Sequence, residues 1–377
     1  MAATTRRGRA VRKRTWEDGL RIVAFETTVS VMRKEDPNWR FALGASPVTE
    51  GHVLRIATDD GSEGFGYAST TAHMGSLTGS LKAELDHLRE SVVGRDPDDI
   101  ESILMSLDRA IRGAPQAKAA IDCALHDLQA RRLGVPLCHL FGGKVRDRIP
   151  ILRILAIKTP AEMATQARKL VDGGYAYLKI KVHGDVAEDV ARVAAIRAEV
   201  GEHVHLTIDA NQSYSPKDAI AALNAMAKYN IDLAEQPVPV EDFEGLALVT
   251  RSVPITIEAD EAAGSLREIY QLVSRRAVDA VSLKIPKLGG LRNTIAAARV
   301  CEAGEIKYRL GAAVGSRLLA AHGLHLACAL RNVDYACELG EFARLLDDPF
   351  EGLEVKDGCL ALPGGVGTGV RPVGANT

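Results

Sequence analysis

The spacing of apolar residues along the chain changes near residue 148. From Leu20 the segments LRIVAFETTVSV and HVLRIATDDGSEGFGYA alternate apolar and polar positions as half-buried strands do, and the DDG step marks a turn, which predicts an antiparallel meander. Residues 75–134 then take helical spacing, and AKAAIDCALHDLQARRLG reads as an amphipathic helix stopped by Gly134 and Pro136. These elements predict an α+β domain over residues 20–147.

Beyond KVRDRIP, short apolar runs alternate with helical stretches: PILRILAI, YLKIKV, LTIDAN, LAEQP, ITIEAD, AVSLKI, YRLGAA and DYACELG. Eight strands with helices between them predict an α/β fold, a closed parallel (β/α)8-type barrel over residues 148–345. Lys181, Asp209, Glu235, Asp260 and Lys284 each fall near the end of one internal strand, at gaps of 28, 26, 25 and 24 residues. Such a gap fits one strand, one helix and two loops, and the carboxyl end of the strands is where barrel enzymes place their chemistry.

Composition narrows the function by exclusion. The chain has 377 residues, 46% hydrophobic and 25% charged, enough to bury a large core. A formal net charge of -2 gives no overall attraction to nucleic acid or membrane. The first fourteen residues carry six basic and no acidic side chains, and residues 1–19 read as a disordered solvated extension. Six cysteines without CxxC spacing read as reduced, mostly buried thiols, and with no signal-peptide core a cytoplasmic location is expected.

Asp209, Glu235 and Asp260 come from consecutive strands, so their carboxylates can converge at the barrel mouth. Three hard oxygen donors with room for water and substrate describe a Mg²⁺ site, with Mn²⁺ as a substitute. By strand parity Asn211 shares the face of Asp209 and supports it, Glu258 shares the face of Asp260 as the next candidate ligand, and Glu261 points away. Lys181 and Lys284 lie four strands apart in a ring of eight, so they face each other across the mouth. A carboxylate substrate held between them would present its α-carbon to one lysine on each face. Lys179 shares the face of Lys181; its charge would help keep Lys181 neutral enough to act as a base, and it can also contact the substrate carboxylate.

The motifs AAIDCALHDLQARRLGVPLCHLFGG, KIK, DAN, EQP, ADE and KIPKLGG together resemble the enolase superfamily, specifically the muconate-lactonizing-enzyme subgroup of the mandelate racemase and muconate lactonizing enzyme family, over about residues 20–373. The resemblance implies that Lys181 and Lys284 are the acid/base pair and that Asp209, Glu235 and Asp260 bind Mg²⁺. It also implies an enolase-type modified barrel with the N-terminal domain as its cap, completed by residues 346–377. The loop DPNWRFALGAS, residues 36–46, would close over the substrate, with Trp39, Arg40 and Phe41 selecting it. A homo-oligomer, dimer or octamer, is implied as well. Two departures stand out: Gly315 occupies the place of a glutamate that many subgroup members carry after strand seven, and CELGEF replaces the paired aspartates of dipeptide epimerases, leaving Glu338 or Glu341 as substitutes or as structural ion pairs.

The expected function is abstraction of the proton α to a carboxylate through an enediolate, in a racemase or epimerase of an N-acylamino acid, a proline derivative or a dipeptide. A lyase, such as a muconate-type cycloisomerase or a hydroxy-acid dehydratase, shares the same first step. A non-catalytic metal-binding barrel is the third reading.

Overall fold

The computed structural model describes residues 19–70, 72 and 75–375. Apart from Gly19, the expected basic extension lies outside the described residues. The N-terminal meander forms a four-stranded antiparallel sheet in the order Leu345–Leu346, Ile22–Lys34, Val48–Thr58, Glu63–Ser69. Its tight turn is held by Asp60, whose carboxylate accepts from the Thr58 hydroxyl at 2.7 Å and the Ser62 amide at 2.9 Å.

Helix Pro115–Leu133 lies on this sheet, and a Cβ at Gly66 would stand only 1.9 Å from the Ala120 carbonyl oxygen. That close approach is why a glycine occupies the strand. The helix is buried on nearly every side instead of being amphipathic, because the barrel covers the face that the sheet leaves open. Its two aspartates act as staples. Asp122 accepts from the Leu291 and Arg292 amides at the start of barrel helix Leu291–Ala303, and Asp127 accepts from Phe65 at 3.0 Å and Thr368 at 2.9 Å. Cap, barrel and C-terminal segment thus meet on one helix.

Seven parallel strands follow in sequential order: Arg153–Leu155, Tyr177–Lys181, His205–Asp209, Ile231–Glu235, Thr256–Ala259, Ala280–Lys284 and Lys307–Gly311. The eighth expected strand, DYACELG, shrinks to Cys337 and Glu338, which bridge to Ile151 on one side and Gly311 on the other. The Cys337 amide donates to Pro150 at 3.0 Å and the Glu338 amide to Leu310 at 2.9 Å, so two residues suffice to close the ring. Its brevity has a local cause: the chain turns at Gly340 into Glu341–Arg344 and joins the cap sheet through Leu345–Leu346, across the expected domain boundary. Cys359–Ala361 pairs with Arg148–Pro150, and the Gly367 carbonyl accepts from the Leu137 amide at 2.7 Å, tying the C-terminal segment to both domains.

All six cysteines are free, five buried and Cys359 half-buried. Among the described residues no helix is long and apolar enough to cross a membrane.

Candidate active site

Lys181, Asp209, Glu235 and Lys284 are each the last residue of their strand, and Asp260 follows the fifth strand directly. Parallel register sets Lys181 beside Asp209 and Asp209 beside Glu235. Above them lies a cavity of about 470 Å³ between barrel and cap. Lys181, Asp209, Asn211, Asp260, Lys284 and Glu338 line its floor, with Lys181 and Lys284 on opposite walls. Lys34, Trp39, Phe41 and Leu43 line it from the cap.

Lys181 Nζ donates to Asp209 Oδ2 at 2.6 Å and to Asn211 Oδ1 at 2.7 Å. Lys284 Nζ donates to Asp260 Oδ2 at 2.7 Å and lies 3.5 Å from Glu338 Oε1. Burial works against the charge on Lys284, but Asp260, Glu338 and Glu235 outweigh it and hold its pKa above the ordinary lysine value. Burial likewise opposes ionisation of Glu338, yet Lys179, Lys284 and Arg309 bring it down to about 2.

Several expectations from strand parity need correction. Lys179 is only 1% exposed and does not line the cavity, so it is not placed to touch a substrate there. Its ammonium is bonded to Glu235 at 2.7 Å, to Asp209 at 2.9 Å and to Glu338. These carboxylates outweigh its burial and raise its pKa, so its charge is met by them and is not free to act on Lys181. Glu258 is not placed as a ligand either: Arg309 takes both its oxygens, Nε 3.0 Å from Oε1 and Nη2 2.6 Å from Oε2, whereas Glu235, as deeply buried and also outside the cavity lining, keeps Oε1 free.

Parity fails at Glu261, which lies past the end of its strand, and holds at Asn211, which lines the cavity beside Asp209. Glu261 turns back to the site and accepts from Asn211 Nδ2 at 3.1 Å. Asn211 has a left-handed backbone, φ 41°, and it is its main-chain amide that holds Asp209, at 3.0 Å. Arg40 is exposed and outside the cavity lining; its carbonyl accepts from the Ile157 amide at 3.1 Å and so ties the loop to the barrel. Trp39 packs with Leu152, Ile154, Ala156 and Ala336, while Phe41 stands 5.5 Å from Lys181 Nζ. Gly315 is buried away from the lining, where a Cβ would come within 2.9 Å of Tyr67 and 3.0 Å of Leu319. Glu341 pairs with Arg344 and lies 3.8 Å from Arg153, a structural cluster apart from the cavity lining.

Three positioning residues had weaker signals in the sequence. Lys287, in KIPKLGG, donates to Asp260 Oδ1 at 2.8 Å and to the Asp260 carbonyl. Gln236, in EQP, accepts from the Asp260 and Ala262 amides, each at 3.0 Å, and so fixes the turn that presents Asp260. Arg309, a lone arginine inside YRLGAA, bonds Glu235 and Glu258.

The carboxylates can be tested as cation ligands on their own surroundings. Among the described residues no three of them stand grouped as a ready-made cage, because the Lys179 ammonium bridges Asp209 and Glu235. The chemistry nevertheless fits. All donors are hard oxygens, Glu235 Oε1 is buried without a hydrogen-bond partner, and burial followed by the charge of Asp209 pushes Glu235 well above the usual carboxylate range. A cation beside the free Oε1 would favour the ionised form of Glu235, and Asp209, Glu235 and Asp260 suit Mg²⁺ or Mn²⁺.

Residues 26–142 match the model of the mandelate racemase / muconate lactonizing enzyme N-terminal domain, and residues 162–375 that of the enolase C-terminal domain-like family. The chain belongs to the mandelate racemase/muconate lactonizing enzyme family of the enolase superfamily. Within this family it is 37% identical over 283 residues to an L-Ala-D/L-Glu epimerase of Clostridium acetobutylicum, covering 74% of this chain and 79% of the relative. It is 30% identical to an N-succinyl-L-Arg/Lys racemase of Bacillus cereus, covering 82% and 88%, and 32% identical to a chloromuconate cycloisomerase of Cupriavidus necator, covering 85% and 89%. The crystal structure of a dipeptide epimerase from Enterococcus faecalis, complexed with Mg and L-Leu-L-Tyr, superposes with a TM-score of 0.89 at 32% identity, covering 93% of this chain and 99% of that one. The chain is an isomerase of this superfamily.

Proposed function

We propose that this isomerase racemises or epimerises an amino-acid derivative, an N-acylamino acid, proline derivative or dipeptide, by moving the proton α to its carboxylate. The observation that carries the reading is the pair Lys181 and Lys284, which line one cavity from barrel strands two and six. One lysine takes the proton from one face of the α-carbon, and the other, as an ammonium, returns a proton to the opposite face. Lys284, bonded to Asp260 and Glu338, stands as the ammonium. Asp209, Glu235 and Asp260 would hold Mg²⁺, which when bound supplies positive charge for the substrate carboxylate and for the charge left when the α-proton departs. Trp39 and Phe41 line the cavity from the cap, where they would shield the reacting carbon from water.

The cycloisomerase relative supports a second reading, in which the same first step ends in ring opening or closure. Incubating candidate substrates in D₂O separates the two. The racemase reading requires deuterium at the α-carbon of recovered substrate with inversion and no change of carbon skeleton, and loss of exchange after chelation, restored by Mg²⁺. Full activity after exhaustive chelation would exclude the metal.

A further inference from the structure

The cap side of the cavity carries a charge that the reading above does not use. Lys34, the last residue of strand Ile22–Lys34, is half-buried and lines the cavity, with Nζ 4.6 Å from the centroid of Trp39. The other lysines of the lining, Lys181 and Lys284, are bonded to Asp209 and Asp260. Lys34 has no ion-pair partner among the described residues, because the acids around it are engaged elsewhere. Asp36 pairs with Lys158 at 2.8 Å, Glu341 pairs with Arg344, and Glu50, on the same cavity wall, accepts from the Thr78 hydroxyl. The Arg344 guanidinium also lies 4.6 Å from the Trp39 ring, adding positive charge. Burial, then Arg344, bring the pKa of Lys34 down to about 8, as expected of an ammonium whose charge is unmet.

A neutral ligand arm would leave that ammonium desolvated and unpaired, and a cationic arm would be repelled by it. We propose that Lys34 anchors a second carboxylate of the substrate, carried on an arm that reaches from the reacting α-carbon to the cap. The assignment rests on the reading that an α-carboxylate substrate lies between Lys181 and Lys284. The arm could be the N-acyl group or the side chain, and the same chemistry serves either.

Calorimetric titration with Mg²⁺ present tests it on the wild type, Lys34→Met and Lys34→Arg, using two isosteric pairs. One is N-succinylalanine against its terminal amide, the other N-acetylglutamate against N-acetylglutamine. The wild type should bind one dianion roughly 10- to 100-fold more tightly than its monoanionic isostere. Lys34→Met should abolish that discrimination and Lys34→Arg keep it, while the monoanionic isostere reports whether each variant is folded. The pair that discriminates tells which arm bears the carboxylate. No discrimination by the wild type in either pair, or discrimination that survives Lys34→Met, overturns the assignment. Discrimination without α-deuteration of the preferred dianion in D₂O keeps the anion site and rejects the racemase reading.

Discussion

Lys287 grips Asp260 twice, through the carboxylate Oδ1 at 2.8 Å and through the main-chain carbonyl. Asp260 lies one residue beyond the fifth strand, where no sheet ladder holds it, so this ammonium from the turn after strand six sets both the chain path and the carboxylate. Lys287→Met should therefore weaken Mg²⁺ binding by about 10- to 100-fold, read by calorimetry. Unchanged affinity would mean that Gln236 and Lys284 hold Asp260 well enough alone.

Division of labour between the lysines predicts a result that mere importance would not. Lys181→Ala should abolish racemisation yet still exchange the α-proton of one enantiomer, and Lys284→Ala should exchange only the other, followed by NMR in D₂O. Exchange of both enantiomers by either variant would end the two-face mechanism.

Trp39 both lines the cavity and packs on the barrel, so its two roles should fail together. Trp39→Ala should cost about 3 kcal/mol of stability and raise KM, whereas Arg40→Ala, whose side chain is exposed, should leave both nearly unchanged. A Trp39→Ala variant with a lowered Tm and unaltered KM would reduce the tryptophan to packing.

The acid limb of stability should depend on His325. Its Nδ1 accepts from the Cys138 amide at 3.2 Å and its Nε2 donates to the Thr368 carbonyl at 3.1 Å, an arrangement that only the neutral ring satisfies. Burial, reinforced by His322 against the Thr368 bond, lowers its pKa from 6.5 to about 4. A depressed pKa means that the neutral ring's contribution is complete above pH 6.5 and is lost as pH falls toward 4, about 3 kcal/mol in all. His325→Gln should lower Tm at pH 7, and its gap from the wild type should narrow as pH falls to 4; a constant gap would remove His325 from the acid limb.

Much of the architecture was legible because a barrel strand, buried on both faces, reads as a short apolar run and the barrel repeats its unit at nearly constant length. YLKIKV and AVSLKI therefore located the ends of the second and sixth strands, and with them the opposition of Lys181 and Lys284 across a ring of eight. The helix ALHD segment was also evident, but not the burial of its polar side, since that depends on the barrel resting against it.

Inside a strand, residue type and parity determine which way a side chain points, and the sequence alone carried that far. Past the last ladder bond the rule lapses, which is why Glu261 turns to Asn211, a partner that alternation could not supply. Closure of the ring decided the rest. It brings Glu338 to Lys179 across 159 residues and sets Arg309 on Glu258, while the docking of the cap leaves Lys34 lining the cavity with no ion-pair partner among the described residues. Which charges cancel is a property of distances in space, and in a buried site those distances, not the order of residues, determine whether a lysine is a structural ion pair or a group exposed to a ligand.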